Sequence, residues 1–401
     1  MDDDDIPQQV YIFHLESGLT MTRLLENTSS DPYDRRKVPI TLLTGYLGAG
    51  KSTLLNYILT GDHGYRIAVC MNDFGDTTDI ESKSMTLSSN PASGSTQEDP
   101  ASSFLSLPNG CLCCSVKDLG IAAIEDMVAN APGGVDWVVV ELTGVADPAP
   151  IVRTFWANEE MGDLILDGVI CVVDSRNVLK QLAEEKNSGE INECQKQVAC
   201  ADVILLNKLD LVDKAQLQEV EATIRELNPT LRVHHTTNSR APLGEMFNLR
   251  AFSDAAGSGS AILRELADPA PESHIHSEAC DHEHDQHHSK ITTALIPLPP
   301  LSTEQYTLLN GFLESLLWNG LYPSANSDER KEAPEILRTK GYITLHDGTA
   351  FVLQGVVDLF EVKEVKENGE GKGEKVAGKI VFIGRGVGEE VKRALVEWVG
   401  L

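Results

Sequence analysis

The chain has 401 residues, 33 Lys and Arg against 61 Asp and Glu, and a formal net charge of −28 at pH 7. This length predicts two or three domains, and the acidic balance excludes the basic surface that nucleic-acid binding needs. No stretch approaches the roughly twenty apolar residues of a membrane span, and the acidic start is unlike a secretory or transit peptide. We therefore expect a cytoplasmic protein, with the nucleus as a second compartment, and no nucleic-acid or membrane partner.

The first half of the chain alternates strand-length apolar runs with helical stretches. Residues 1–36 are acidic, lack periodicity and predict a flexible arm. The predicted strands are Ile40–Leu43, Ile67–Met71, Trp137–Glu141, Val169–Val173 and Val203–Leu206, and the predicted helices include Leu119–Val128, Asn192–Ala201 and Ala215–Leu227. This alternation predicts a doubly wound α/β domain with a mostly parallel sheet over residues 37–252, carrying a flexible Ser- and Pro-rich insertion at 84–103.

The second half predicts a linker and a smaller domain. Residues 253–290 run from a Gly/Ser/Ala stretch into a His-rich tract, which indicates a linker. From residue 291 to 401 we expect an α+β domain, with a loop at 366–378. Its predicted elements are strands at 291–296, 342–346, 350–357 and 379–383, a helix from Thr303 to about Trp318, and a final helix at 389–399.

A phosphate-binding loop follows the first predicted strand. The segment Gly45-Tyr46-Leu47-Gly48-Ala49-Gly50-Lys51-Ser52 fits the Walker A pattern, between a strand and a helix as the mechanism requires. Its backbone N–H groups would surround the phosphates, Lys51 would reach the β- and γ-phosphates, and the Ser52 hydroxyl would ligate Mg²⁺. The predicted nucleotide-binding residues here are Gly45, Gly48, Ala49, Gly50, Lys51, Ser52 and Thr53.

Two further motifs follow later strands. Asn207-Lys208-Leu209-Asp210 comes directly after Val203–Leu206. The Asp210 carboxylate can accept hydrogen bonds that guanine offers and adenine does not, which favours GTP over ATP, although a four-residue match of this kind is also common in turns. Glu141 ends the strand Trp137–Glu141, where an acidic residue steadies Mg²⁺ in the catalytic site with Lys51. No glutamine is identified as the residue that orients the attacking water.

Three of the eight cysteines are clustered in Cys111-Leu112-Cys113-Cys114. Three thiolates so close together can supply three ligands of a tetrahedral zinc site, with the fourth position left for another ligand. Spacing alone leaves Cu(I) open, and also packing or a redox pair. The isolated cysteines at 70, 171, 194, 200 and 280 are predicted to pack in the core.

Together these motifs resemble the CobW-type metallochaperone GTPase family, and most closely its eukaryotic zinc-chaperone branch. The resemblance is carried by Leu43–Tyr57, Asn109–Asp118, Glu141–Pro148, Leu166–Ile170 and Asn207–Asp210, and by tail segments Leu337–Tyr342, Gln354–Phe360 and Ile380–Arg385.

The resemblance implies GTP hydrolysis, zinc held by Cys111, Cys113 and Cys114, and transfer of zinc to a client metalloprotein such as a type 1 methionine aminopeptidase. Asp73, in Asn72-Asp73-Phe74-Gly75, would correspond to an acidic residue that contacts the metal. Aspartate is one methylene shorter than the glutamate of the family, and the arm lacks the cysteine of a client-docking motif.

The His-rich tract is a candidate auxiliary metal site. Imidazoles at this density bind zinc, copper or nickel with adaptable geometry, and the alternative is a charged linker that contains histidine. The candidate zinc ligands are His274, His276, His282, His284, His287 and His288. The competing functions are a zinc-binding regulator or buffer that transfers nothing, and a chaperone for cobalt or nickel. The oligomeric state stays open, with a homodimer as one option.

Overall fold

The computed structural model describes residues 37–61, 63–71, 119–131, 133–184, 191–252, 291–323, 331–365 and 377–401. The predicted arm, the insertion, the linker and most of the predicted loop at 366–378 lie outside these residues. Within the described ranges, no helix combines the length and apolar character needed to cross a membrane.

The first part of the described chain forms a six-stranded sheet in the order β2-β3-β1-β4-β5-β6, in which every neighbouring pair is parallel. Helices cover both faces, so this is a doubly wound α/β fold, as predicted. The elements are β1 (Val38–Thr44), α1 (Lys51–Thr60), β2 (Ile67–Met71), α2 (Leu119–Asn130), β3 (Trp137–Glu141), α3 (Pro148–Ala157), β4 (Leu164–Asp174), α4 (Val178–Leu182), α5 (Glu193–Cys200), β5 (Val203–Asn207), α6 (Lys214–Leu227) and β6 (Arg232–His235).

All five strands predicted for this sheet are present, and one further strand was missed. Strand β6, Arg232–His235, is only partly buried and lies at the edge of the sheet. Its Arg and His side chains give it no apolar run, so periodicity alone could not identify it.

The second part forms a five-stranded antiparallel sheet in the order β10-β9-β8-β11-β7. Two helices pack on one of its faces and complete a separate apolar core. The elements are β7 (Ile291–Leu298), α7 (Thr303–Leu317), β8 (Glu335–Thr344), β9 (Ala350–Val356), β10 (Leu359–Glu364), β11 (Gly378–Arg385) and α8 (Glu389–Val399).

Two strands of this sheet differ from the sequence prediction, one in its starting residue and one in not having been predicted. Strand β8 begins at Glu335, whereas the prediction placed a strand only at 342–346. The early part of β8 carries Arg338 and Lys340, which are fully buried but break the apolar pattern. Strand β10 was not predicted because it is a half-exposed edge strand.

The other face of the antiparallel sheet packs against the α/β part. A continuous apolar cluster joins side chains of α3 and α5 to those of β8 and β11, including Val152, Ala199, Leu337 and Val381. Helix α5 therefore lies between the parallel sheet and the tail sheet, in contact with β7 and β8.

Candidate functional site

Polar residues follow four neighbouring strands at one edge of the parallel sheet. The phosphate-binding loop follows β1, and Glu141, Asp174 and Asn207 end β3, β4 and β5. Glu141 is in register with the end of β1, and Asp174 with Asn207. Because the carboxyl ends of parallel strands meet at a single edge, the fold brings together residues that are far apart in sequence.

The loop between β1 and α1 has the backbone of a phosphate cradle. Gly45, Gly48 and Gly50 all adopt positive φ angles, of 142°, 75° and 117°. Lys51 is buried, and its Nζ donates to the Gly45 carbonyl oxygen at 2.6 Å. Burial lowers the pKa of Lys51, while the neighbouring charge of Glu141 acts to raise it. The ammonium group is therefore held within the loop, and Glu141 lies close to it.

Three consecutive carbonyl oxygens of this loop accept hydrogen bonds from side chains of Asn207, Lys208 and Ser239, that is, from the Asn207–Asp210 motif and a residue bonded to it. The bonds run from Lys208 Nζ to Gly48 O at 2.7 Å, from Asn207 Nδ2 to Ala49 O at 2.9 Å, and from Ser239 Oγ to Gly50 O at 2.9 Å. The Ala49 N–H also donates within the loop, to the Tyr46 carbonyl oxygen at 3.1 Å, so the loop is fixed both by its own backbone and by these side chains. The phosphate cradle and the Asn207–Asp210 motif therefore form one connected unit.

Ser239 is a site residue that the sequence interpretation missed. It is fully buried, its backbone N–H donates to Asn207 Oδ1 at 2.8 Å, and its hydroxyl accepts from Asn207 Nδ2 at 2.8 Å. Asn238 and Ser239 both have φ of 54°, so this turn is built from two left-handed residues. The available signal was its position just after β6, and that strand was also missed.

Asp174 is a second residue that the sequence interpretation missed. Its Oδ2 accepts from Lys208 Nζ at 2.7 Å and from Asn177 Nδ2 at 2.9 Å. Burial acts to raise the pKa of Asp174, but the hydrogen bonds from Lys208 and Asn177 outweigh it, so the pKa lies below its ordinary value. Lys208 is thus fixed between a carboxylate and the phosphate loop, whereas Asp210 is exposed at the edge of the site.

The oxygen ligands needed for Mg²⁺ are present beside the loop. Ser52 and Thr53 are exposed in the first turn of α1, and Glu141 is partly buried at the end of β3. The buried hydroxyl oxygen of Thr143 has no hydrogen-bond partner among the described residues. Hydroxyl and carboxylate oxygens are the ligands that Mg²⁺ prefers, so this set fits that ion.

The candidate metal ligands of the cysteine cluster lie outside the described residues, as do Asp73 and the histidine tract. Within the described ranges, no group of three or more His, Cys, Asp or Glu side chains could hold a metal ion. The isolated cysteines at 70, 171, 194 and 200 are buried, as predicted, whereas Cys280 lies outside the described residues. Burial raises the pKa of Cys70 and of Cys194 to about 12, so these two thiols are neutral core groups.

Comparison with known proteins agrees with this geometry. The CobW/HypB/UreG nucleotide-binding domain matches residues 39–235, and the cobalamin synthesis protein cobW C-terminal domain matches residues 317–397. The zinc-regulated GTPase metalloprotein activator 1 of Saccharomyces cerevisiae is 32% identical over 398 residues, which cover 91% of this chain and 85% of the relative. This chain belongs to the CobW family of P-loop GTPases.

One bacterial relative spans both parts of the chain. The zinc chaperone YjiA of Escherichia coli is 31% identical over 363 residues, covering 89% of this chain and 97% of YjiA. The crystal structure of Zn(II)-bound YjiA GTPase from E. coli superposes with a TM-score of 0.58 at 26% identity, covering 90% of this chain and 99% of that chain. The CobW-family chain described here therefore has the α/β and tail parts in the same order as a solved relative.

Proposed function

We propose that this chain is a GTP-hydrolysing zinc chaperone that transfers zinc to a client metalloprotein. The observation that carries the proposal is the bonding of the Gly48–Gly50 carbonyls to Asn207, Lys208 and Ser239, which joins a phosphate cradle to a guanine-reading motif. The yeast relative is named a zinc-regulated GTPase and the E. coli relative a zinc chaperone, which supports zinc as the metal.

In this proposal the nucleotide residues have separate tasks. The loop amides and Lys51 bind the phosphates, and Asn207, Lys208 and Asp210 select guanine. Ser52 and Glu141 hold Mg²⁺, which would neutralise phosphate charge in the bound state. GTP binding changes the conformation of the segments around the terminal phosphate, and hydrolysis reverses that change.

The metal residues are assigned from the sequence. Cys111, Cys113 and Cys114 hold zinc, with Asp73 as a further ligand, and the histidine tract serves as an auxiliary collector. Three thiolates leave one tetrahedral position, which Asp73 or an incoming client ligand would occupy, and an exchangeable fourth ligand suits transfer better than permanent storage. We further propose a type 1 methionine aminopeptidase as the client, a cytoplasmic location with the nucleus second, and a homodimer as the state to test.

The first experiment compares GTP hydrolysis by the purified chain with and without equimolar zinc. A Cys111/Cys113/Cys114→Ala variant removes the proposed site, and Cys194→Ala is the control for thiol loss elsewhere, because Cys194 is buried and lies outside both the cluster and the histidine tract. We expect zinc to change the turnover of the wild-type chain and of the control but not of the triple variant. Equal turnover with and without zinc in the wild-type chain would contradict coupling between metal and nucleotide.

A second experiment separates a chaperone from a zinc buffer. Zinc-free methionine aminopeptidase is added to the zinc-loaded chain with GTP, and both peptidase activity and GTP turnover are measured. A chaperone activates the client and responds to it, whereas a buffer gives no activation beyond that of the same free zinc concentration. Competition among zinc, cobalt and nickel for the chain then identifies the metal.

A further inference from the structure

The loop that follows Glu141 lies directly against the phosphate cradle. Its Leu142 N–H donates to the Leu43 carbonyl oxygen at 2.8 Å, which extends the pairing of β3 with β1. A methyl group added at Gly144 would lie 2.8 Å from the Leu47 backbone nitrogen, so the two loops are in contact. The loop therefore borders the end of the site where Lys51 and Glu141 lie, away from Asn207 and Ser239.

This loop is held from behind by helix α5. The Gln197 side-chain nitrogen donates to the Gly144 carbonyl at 3.1 Å and to the Ala146 carbonyl at 3.2 Å. One residue earlier on the helix, Lys196 Nζ bonds Asp147 Oδ2 at 2.8 Å. Two adjacent side chains of α5 thus fix both the middle and the end of the loop.

The Gln197 side chain is buried, and its amide is only partly hydrogen-bonded. Its side chain is 1% exposed, and both neighbours of its nitrogen are carbonyl oxygens, which fixes the orientation of the amide. Its Oε1 is buried with no hydrogen-bond partner among the described residues. An unpaired buried acceptor is costly, and it offers a bond to a backbone N–H if the loop rearranges.

We propose that Gln197 positions the Gly144–Ala146 loop for contact with the terminal phosphate, and that it thereby sets the preference of the chain for GTP over GDP. The inference rests on the proposed function, since it assumes that guanine nucleotides occupy this site. Gln197 acts through the loop and touches no phosphate itself, so it is a positioning residue. It also links the loop to the tail sheet, because α5 packs against β7 and β8.

Gln197→Met tests this role, because methionine has a similar length and no hydrogen-bonding amide. The matched control is Gln195→Met on the same helix. Gln195 is 6% exposed, and its side chain donates to the Leu182 carbonyl at 2.8 Å and accepts from the Ile291 N–H at 3.0 Å. Both variants lose a buried amide with two hydrogen bonds, but only Gln197 bonds the loop.

Calorimetric titration with GDP and with a non-hydrolysable GTP analogue, both with Mg²⁺, provides the readout. For Gln197→Met we expect about tenfold weaker binding of the analogue and less than a twofold change for GDP. Gln195→Met should leave the ratio of the two affinities unchanged. Lys196→Met, which removes the bond to Asp147, should shift the ratio in the same direction as Gln197→Met, and it provides the test if Gln197→Met does not fold.

The outcomes distinguish the role of Gln197 from the proposed function. If Gln197→Met weakened the binding of GDP and of the analogue equally, or if Gln195→Met changed the ratio of the two affinities as much as Gln197→Met, the role of Gln197 would be overturned. The proposed function would remain intact. A wild-type chain that binds neither nucleotide would overturn the proposed function and this inference together.

Discussion

The buried charges between the two sheets give a stability prediction that can be worked from the structure. Asp202, Arg338 and Lys340 are each at most 1% exposed. Arg338 Nη2 lies 2.6 Å and Lys340 Nζ 3.0 Å from Asp202 Oδ1, while Oδ2 accepts from the Val169 N–H at 3.0 Å. Two cations share one carboxylate, so these three groups carry a formal charge of +1 in a buried interface.

Replacing the acid should therefore lower the free energy of unfolding far more than replacing one of the cations. Asp202→Asn removes the carboxylate that Arg338 and Lys340 share, and we expect the free energy of unfolding to fall by about 3–5 kcal/mol. Arg338→Met leaves the Asp202–Lys340 pair balanced and fills the space with an apolar side chain. It loses the contact of the guanidinium with the Phe252 ring, 4.5 Å from its centroid, so we expect a loss of about 1–2 kcal/mol.

Equilibrium urea unfolding followed by tryptophan fluorescence measures both variants against the wild-type chain. The reasoning would be refuted if Arg338→Met destabilised the protein as much as Asp202→Asn. That result would mean that the arginine is needed for packing and that the charge balance of the cluster contributes little.

The same cluster predicts a dependence on pH. Burial acts to raise the pKa of Asp202, but the charges of Arg338 and Lys340 outweigh it and hold the pKa below its ordinary value of 3.8. A carboxyl group with a lowered pKa in the folded state contributes its full stability above the unfolded value and loses it as the pH falls through the folded value. The stability difference between wild type and Asp202→Asn should stay constant from pH 7 to pH 5 and shrink below about pH 4.

Two further substitutions test the nucleotide site and helix α5. Gly50→Ala should abolish nucleotide binding in titration calorimetry. The φ of Gly50 is 117°, and the added methyl would lie 2.4 Å from Asn207 Nδ2 and 2.7 Å from Ser239 Oγ. Retained affinity would show that the loop tolerates displacement. Asn228→Ala removes donors to three carbonyls at the end of α5, at 3.1–3.3 Å. The substitution should lower the free energy of unfolding, measured in urea, by about 2 kcal/mol. An unchanged urea midpoint would contradict this.

The sequence by itself determined the fold class and the local motifs. Each of the five apolar runs of the parallel sheet is complete within its own stretch of chain. The phosphate loop and Asn207–Asp210 each occupy one short segment after a strand. A motif of this kind can be read from a single stretch of chain because its geometry depends on adjacent residues.

Only the tertiary structure decided which distant residues complete the site. Ser239 and Asp174 are bonded to the guanine motif and its lysine, yet neither belongs to a motif, and Gln197 contacts its loop across 53 positions of sequence. The first half of strand β8 was not predicted, because charged residues such as Arg338 and Lys340 are normally expected on the surface. In the folded chain both are buried, and Asp202 supplies their counter-charge. Periodicity assumes that charges face water, and that assumption fails where another segment supplies the counter-charge.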